Sequence, residues 1–198
     1  MTPLEHGLER VAADLDAVGA AWAVVGGLAV SARAEPRLTR DVDIAVAVGS
    51  DAAAEALVRL LVQRGYQVLA QIEQTATGRL ATIRFLSPPA PVGQVVVDLL
   101  FASVGIESEV VAAAERIEIA PGLSLPIART GHLIAMKLLA RDDRNRPQDA
   151  DDLRALRAVA TREELSRAAA AVALISKRGF ARGRDLPALF DALGADVW

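Results

Sequence analysis

Two aspartates one residue apart, Asp41 and Asp43, lie in the run Thr39-Arg40-Asp41-Val42-Asp43-Ile44-Ala45-Val46. On an extended strand alternate side chains share a face, so the two carboxylates point one way while Val42 and Ile44 point into a core. Neighbouring carboxylates repel each other unless a cation lies between them. Hard oxygen donors at this spacing suit Mg²⁺, which keeps several waters and takes its other ligands from phosphates. Upstream, the apolar run Trp22-Ala23-Val24-Val25 ends in Gly26-Gly27. Paired glycines let backbone N–H groups approach a phosphate closely. A helix opening at Leu28 adds its N-terminus as an anion site. These residues together specify a site for a metal and a triphosphate.

Two further groups carry chemistry. Asp98 stands inside Val95-Val96-Val97-Asp98-Leu99-Leu100-Phe101, the most apolar strand of the chain. A charge in such a run is costly without a partner or a metal. Asp98 either faces solvent or pairs with an arginine, or it is the third carboxylate of the site. We take the third reading, because a strand carrying an aspartate pair needs a neighbour. The second group runs from Lys137 to Asp152. Only Lys137 and Lys177 are lysines in a chain that otherwise uses arginine, and lysine supplies a compact point charge. Lys137 falls on a helix with Leu133, Ile134 and Leu138 on its apolar face. Asp149 is placed to cap the next helix, with Asp152 three residues on. Plain capping and an exposed loop would explain this block. The functional reading puts Lys137 on a triphosphate with Asp152 orienting it.

The elements that position these groups follow from periodicity. Leu4, Leu8, Val11, Leu15 and Val18 predict a helix over 3–19, ended by Gly19. A short buried strand at 22–25, a helix at 28–34 and the aspartate strand at 41–48 come next, with Pro36 breaking the segment between the last two. Asp51 is expected to cap a helix reaching Arg64, with Gly65 as its stop. Strands follow near 66–72, 80–86 and 94–101, the last two joined through Ser87-Pro88-Pro89-Ala90-Pro91. From about 107 the chain becomes mostly helical, with a β excursion at 116–127 and helices near 130–141, 149–159, 162–176 and 185–193. The class is α+β or mixed α/β. No long linker separates the halves, so they are expected to pack around one cleft.

Composition narrows the function. The 198 residues can bury a sizeable core. No apolar run reaches the ~18 residues of a membrane span, and Met1-Thr2-Pro3-Leu4-Glu5-His6 lacks the features of a signal peptide, so a cytoplasmic protein without membrane attachment is expected. There is no cysteine, which excludes disulfides and thiolate metal sites. With only His6 and His132, a histidine zinc site or a Ser-His-Asp triad is poorly supplied, and His132 is expected to pack within its helix. The net charge of −3 rules out a surface that attracts nucleic acid everywhere. The basic residues still cluster: Arg33, Arg37 and Arg40 beside the aspartates; Arg141, Arg144 and Arg146; and Lys177, Arg178, Arg182 and Arg184. Each is a solvated face, or a local patch for RNA or nucleotide beside the carboxylates.

Gly26-Gly27, then Arg40-Asp41-Val42-Asp43, then Asp98 on a strand, then Lys137 with an Asp-rich helix start, resembles the nucleotidyltransferases of the DNA polymerase β superfamily. Within it the chain is most similar to the AbiEii/MenT-type toxins of bacterial toxin–antitoxin systems, over about residues 20–155. The resemblance implies a nucleotidyltransferase-type mixed β-sheet flanked by helices. The core at 1–105 would carry the metal site, and a mostly helical part at 106–198 would pack on it and complete the nucleotide site. It implies Mg²⁺-dependent transfer of nucleotides from an NTP, CTP foremost, to the 3′ end of tRNA, which blocks aminoacylation, translation and growth. On this reading Asp41 and Asp43 hold Mg²⁺, and Asp98 is base or third ligand. Gly26 and Gly27 cradle phosphates with Thr39 and Arg40 beside them, Lys137 neutralises them, and Asp152 supports Lys137. A cognate antitoxin is implied, acting as a kinase on Thr39 or as a sequestering partner. In one respect the chain departs from the superfamily: Leu28 follows the glycines where a serine is frequent, and the nearest serine is Ser31.

Two other readings share these residues. One keeps the metal site but transfers the nucleotide to a protein hydroxyl or to a small molecule such as an aminoglycoside. The basic patches favour RNA over either. The other is a non-catalytic nucleotide-binding partner of the same fold, which would be expected to have lost a carboxylate.

Overall fold

The structure is a computed structural model that describes residues 2–74, 78–142 and 148–193. The first helix, α1 (Pro3–Ala17), opens on a capping box in which the Thr2 hydroxyl accepts from the Glu5 N–H and the Glu5 carboxylate accepts from the Thr2 N–H. It buries Leu8, Val11 and Leu15. Strand β1 (Ala21–Val24) leads directly into α2 (Gly26–Arg33), and β2 (Asp41–Ala47) carries the aspartates. Helix α3 (Asp51–Gln63) is capped by Ser50, whose hydroxyl accepts from the Ala53 N–H. The sequence pointed to Asp51 for that role. Asp51 instead sits one residue inside the helix, where its carboxylate accepts from Arg79 and from the Leu80 N–H. Strands β3 (Gln67–Glu73), β4 (Leu80–Leu86) and β5 (Val96–Leu100) follow, with β4 and β5 antiparallel as the proline-rich connection suggests.

Beyond the short α4 (Glu107–Ala112) the β excursion is a hairpin, β6 (Glu115–Ala120) and β7 (Leu123–Ile127). It joins the main sheet, because β7 runs parallel to β1. The seven strands are ordered β3-β4-β5-β2-β1-β7-β6. The helices α5 (Thr130–Ala140), α6 (Gln148–Val159), α7 (Arg162–Lys177) and α8 (Leu186–Leu193) complete the chain. Helix α5 is buried from Thr130 to Leu139, polar residues included, as expected of a helix packed on every side. His132 is buried within it. Val42, Ile44, Val97 and Leu99 of the two central strands are fully buried, so one face of β2 and β5 is core and the other carries acids. Among the described residues no helix is long and apolar enough to cross a membrane.

Candidate active site

Strand pairing builds the acidic centre. Strands β2 and β5 are parallel, and Asp43 lies in register with Asp98. Asp98 is in turn in register with Arg84 on β4. The Arg84 guanidinium grips Asp98 with two bonds, Nε to Oδ1 at 2.8 Å and Nη2 to Oδ2 at 2.6 Å. The same Nη2 lies 4.0 Å from Oδ2 of Asp41. The Asp98 bonds, together with the charges of Asp41 and Asp43, hold Arg84 protonated even more firmly than usual. Sequence reading offered an arginine partner as one explanation for Asp98, but it did not single out Arg84. A lone basic residue in the apolar run Leu80–Leu86 was the available signal.

The glycine turn abuts this centre. The Val25 N–H donates to the Asp43 carbonyl at 2.9 Å, which locks the end of β1 against the aspartate strand. Gly26 follows with φ +62°, and a Cβ there would overlap the Asp43 carboxylate. The α2 helix begins at this point, two residues earlier than its apolar pattern suggests, with no side-chain cap at its N-terminus. Its first N–H groups and positive dipole end therefore remain for an anion. A Cβ on Gly27 would overlap the Arg37 guanidinium. Ser31 does not serve this turn. Its hydroxyl donates to the Gly27 carbonyl and accepts from the Arg37 N–H, tying down the segment between α2 and β2. That segment carries Thr39, whose Oγ1 donates to the Asp41 carbonyl at 3.4 Å.

Lys137 and Asp152 are brought together, and Asp149 joins them. Lys137 Nζ lies 2.7 Å from Asp149 Oδ1 and 2.7 Å from Asp152 Oδ2, and all three residues are buried. Arg37 completes the group, with Nε 2.7 Å from Asp152 Oδ1. Asp149 was expected to cap α6. It lies instead within the helix's first turn and serves as a counter-ion of Lys137. The long contact between α5 and α6 puts it there, and local sequence carries no sign of that packing.

A cavity of about 520 Å³ connects these groups, a size suited to a nucleotide. Gly26, Gly27, Thr39, Arg40, Asp41, Asp43, Arg84 and Asp98 line one side; Val104, Leu133, Met136 and Lys137 line the other. Glu107 supports the second wall by accepting from the Ser103 and Val104 N–H groups. Of the clustered basic residues only some face the cavity. Arg37, Arg40 and Arg182 line it. Arg33 ties α2 to the Ile127 and Ala128 carbonyls, Arg178 pairs with Glu109, and Arg184 donates to the Leu138 and Leu139 carbonyls at the end of α5. Arg144 and Arg146 lie outside the described residues.

The donor chemistry fits a hard divalent cation. Asp41 and Asp43 present carboxylates on one face of β2, and the absent Gly26 side chain leaves room beside Asp43. Among the described residues no three acids or histidines are gathered as a ready-made metal cage. Mg²⁺ does not require one, since it binds through one or two carboxylates plus phosphates and water.

Solved structures resemble the chain, and the first of them shares its fold. An antigenic nucleotidyltransferase-like protein from Paracoccidioides brasiliensis superposes with a TM-score of 0.54 at 19% identity, covering 98% of this chain and 93% of that one. The lincosamide antibiotic adenylyltransferase LnuA, bound to lincomycin, gives 0.48 at 11% identity over 79% of this chain and 98% of that one. The antibiotic-resistance factor ANT(2″)-Ia gives 0.43 at 20% identity over 97% and 91%. No curated protein matches the chain in sequence. Residues 9–197 do match the description of the nucleotidyl transferase AbiEii toxins of type IV toxin–antitoxin systems, and with nearly its whole length accounted for, the chain belongs to that family.

Proposed function

We propose that the chain transfers nucleotides from an NTP, CTP foremost, to the 3′ end of tRNA, and that this blocks aminoacylation. The observation that carries the reading is the row of carboxylates across β2 and β5, with the Gly26 turn pressed against Asp43 and Lys137 across the same cavity. The core at 1–105 supplies the carboxylates and glycines, and the part at 106–198 supplies Lys137 and closes the nucleotide pocket. Asp41 and Asp43 would hold Mg²⁺, with Asp98 as third ligand or base. When bound, the ion neutralises triphosphate charge and favours departure of pyrophosphate. The backbone of Gly26 and Gly27 and the start of α2 receive phosphate oxygens, with Thr39 and Arg40 beside them. Lys137 adds positive charge, and Asp149 and Asp152 fix its position. Asp98 is placed to orient the attacking 3′-hydroxyl or accept its proton, and in-line geometry does most of the catalytic work. The arginines at the cavity mouth favour an RNA acceptor.

The family's antitoxin would act at Thr39 or by sequestration. A phosphate on Thr39 would add about two negative charges beside Asp41, next to a site that already holds three carboxylates. Thr39→Ala should escape an antitoxin kinase. Full inhibition of that variant by the antitoxin would leave sequestration as the mechanism.

The deciding experiment incubates the protein with total tRNA, Mg²⁺ and each radiolabelled NTP in turn, alongside Asp41→Ala. Label entering tRNA with the wild type alone establishes the reaction and names the nucleotide. Label on protein instead of tRNA moves the acceptor to a protein hydroxyl. NTP binding without transfer to any acceptor sinks the enzymatic reading.

A further inference from the structure

Arg84 takes no part in the reaction as proposed, yet it occupies the middle of the acidic centre. The pairings of β4, β5 and β2 set Arg84, Asp98 and Asp43 in one row across three strands. Both oxygens of Asp98 are engaged by the one guanidinium, the bidentate arrangement that carboxylate and guanidinium form best. Asp41 is attracted from 4.0 Å by the same Nη2. Burial differs sharply along the pair. The Asp98 side chain is 10% exposed, whereas that of Arg84 is 46% exposed. The acid is fixed in the floor, and its cation stands at the wet end, on the wall of the nucleotide cavity.

An arginine fork on Asp98 has two chemical effects. It keeps three neighbouring carboxylates compatible when no other cation is present. It also occupies both Asp98 oxygens, which leaves them less available to a metal ion.

We propose that Arg84 is the resident counter-ion of the metal-free site, that it releases Asp98 when a divalent cation binds at Asp41 and Asp43, and that its freed guanidinium then turns to the triphosphate. Asp98 is thereby freed to face the metal ion and the attacking hydroxyl only when nucleotide and metal are in place. Arg84 thus serves first as the counter-ion of Asp98 and then as a contact of the triphosphate. The inference rests on the reading of Asp41 and Asp43 as metal ligands.

The test uses the full chain without nucleotide or RNA. Binding of Mn²⁺ is followed by electron paramagnetic resonance in wild type, Arg84→Gln, Arg84→Lys and Asp43→Asn. Removing a competing positive charge from the site should tighten Mn²⁺ binding about tenfold in Arg84→Gln. Arg84→Lys, which keeps the charge but loses the fork, should fall between Arg84→Gln and wild type and serves if the glutamine variant folds poorly. Without metal, Arg84→Gln should melt below wild type, and saturating Mn²⁺ should close that gap. In transfer assays its Mg²⁺ requirement should move to lower concentration while kcat falls. Unchanged or weaker Mn²⁺ binding in both Arg84 variants, with wild-type binding abolished by Asp43→Asn, overturns the role of Arg84 and leaves the metal reading standing. Binding that ignores Asp43→Asn, or no binding by any of the proteins, overturns both.

Discussion

Gly26 is the residue with least freedom to change. Its φ is positive and its missing Cβ is the space used by the Asp43 carboxylate. Gly26→Ala should therefore lower nucleotide transfer by at least about a hundredfold, with a stability loss of only about 1–2 kcal/mol; activity assays beside urea denaturation would separate the two. Lys137 should behave in the opposite way. Its removal takes away the cation shared by Asp149 and Asp152, which are 0% and 2% exposed, so Lys137→Ala should cost about 3–5 kcal/mol of stability. Denaturant titration would show it, and a loss of activity in that variant would not by itself report phosphate contact. The contrast marks what was legible in the sequence. Strand alternation alone placed Asp41 and Asp43 on one face. Asp149 and Arg84 could not be assigned, because their partners are reached across helices or strands, and no spacing rule links them.

At the scale of elements, α5 decides how well the site is held. It carries Lys137 and packs against α2, α6, α7 and α8. Its contact with α7 is close. A Cβ on Gly131 would sit 2.9 Å from the Ala168 backbone nitrogen and overlap the Glu164 carbonyl. Gly131→Ala should push the helices apart and cost about 1–3 kcal/mol, seen as a lower urea midpoint. The same helix sets an acid limit. Burial, with Arg167 adding to it, pushes His132 down to about 4 against the opposing pull of Glu164 and Glu109. The folded state therefore refuses a proton that the unfolded chain accepts below about 6.5. Stability is complete above that pH and falls by up to about 1.4 kcal/mol per unit as the pH drops toward 4. His132→Phe should flatten the melting temperature between pH 6.5 and 5.5, a window above most of the range in which glutamates protonate. Periodicity located nearly every helix and strand. It misjudged the starts of α2 and α3, because caps depend on which neighbour's hydroxyl or turn reaches the first N–H groups.

Across the whole molecule the net charge is negative, so an RNA acceptor would be held by local positive charge at the cavity mouth. Arg182 is the residue to examine. It lines the cavity, has φ +54°, and donates to the Ser103 carbonyl. If the acceptor is tRNA, Arg182→Glu should raise the KM for tRNA about tenfold, more than it raises that for NTP. It should also make RNA binding less sensitive to salt, by about the share that a single neutralised phosphate contributes. Steady-state kinetics over a salt series would measure both. The mixed class was readable from the order of elements. The parallel pairing of β7 with β1 was not, because parallel strands meet only through long crossovers that leave no local pattern.

That pairing, and the burial of Lys137 between Asp149 and Asp152, also set a timetable. The carboxylates and glycines leave the ribosome early, but β7 and the acids that seat Lys137 come much later in the chain. The stretch from Asp98 to Asp152 takes roughly 3–10 s to add at ~5–20 residues per second. Throughout that interval the nascent chain has its acids but neither a seated Lys137 nor a closed cleft. On the proposed reaction, nucleotide transfer waits until Asp152 has been added and α6 has packed against α5.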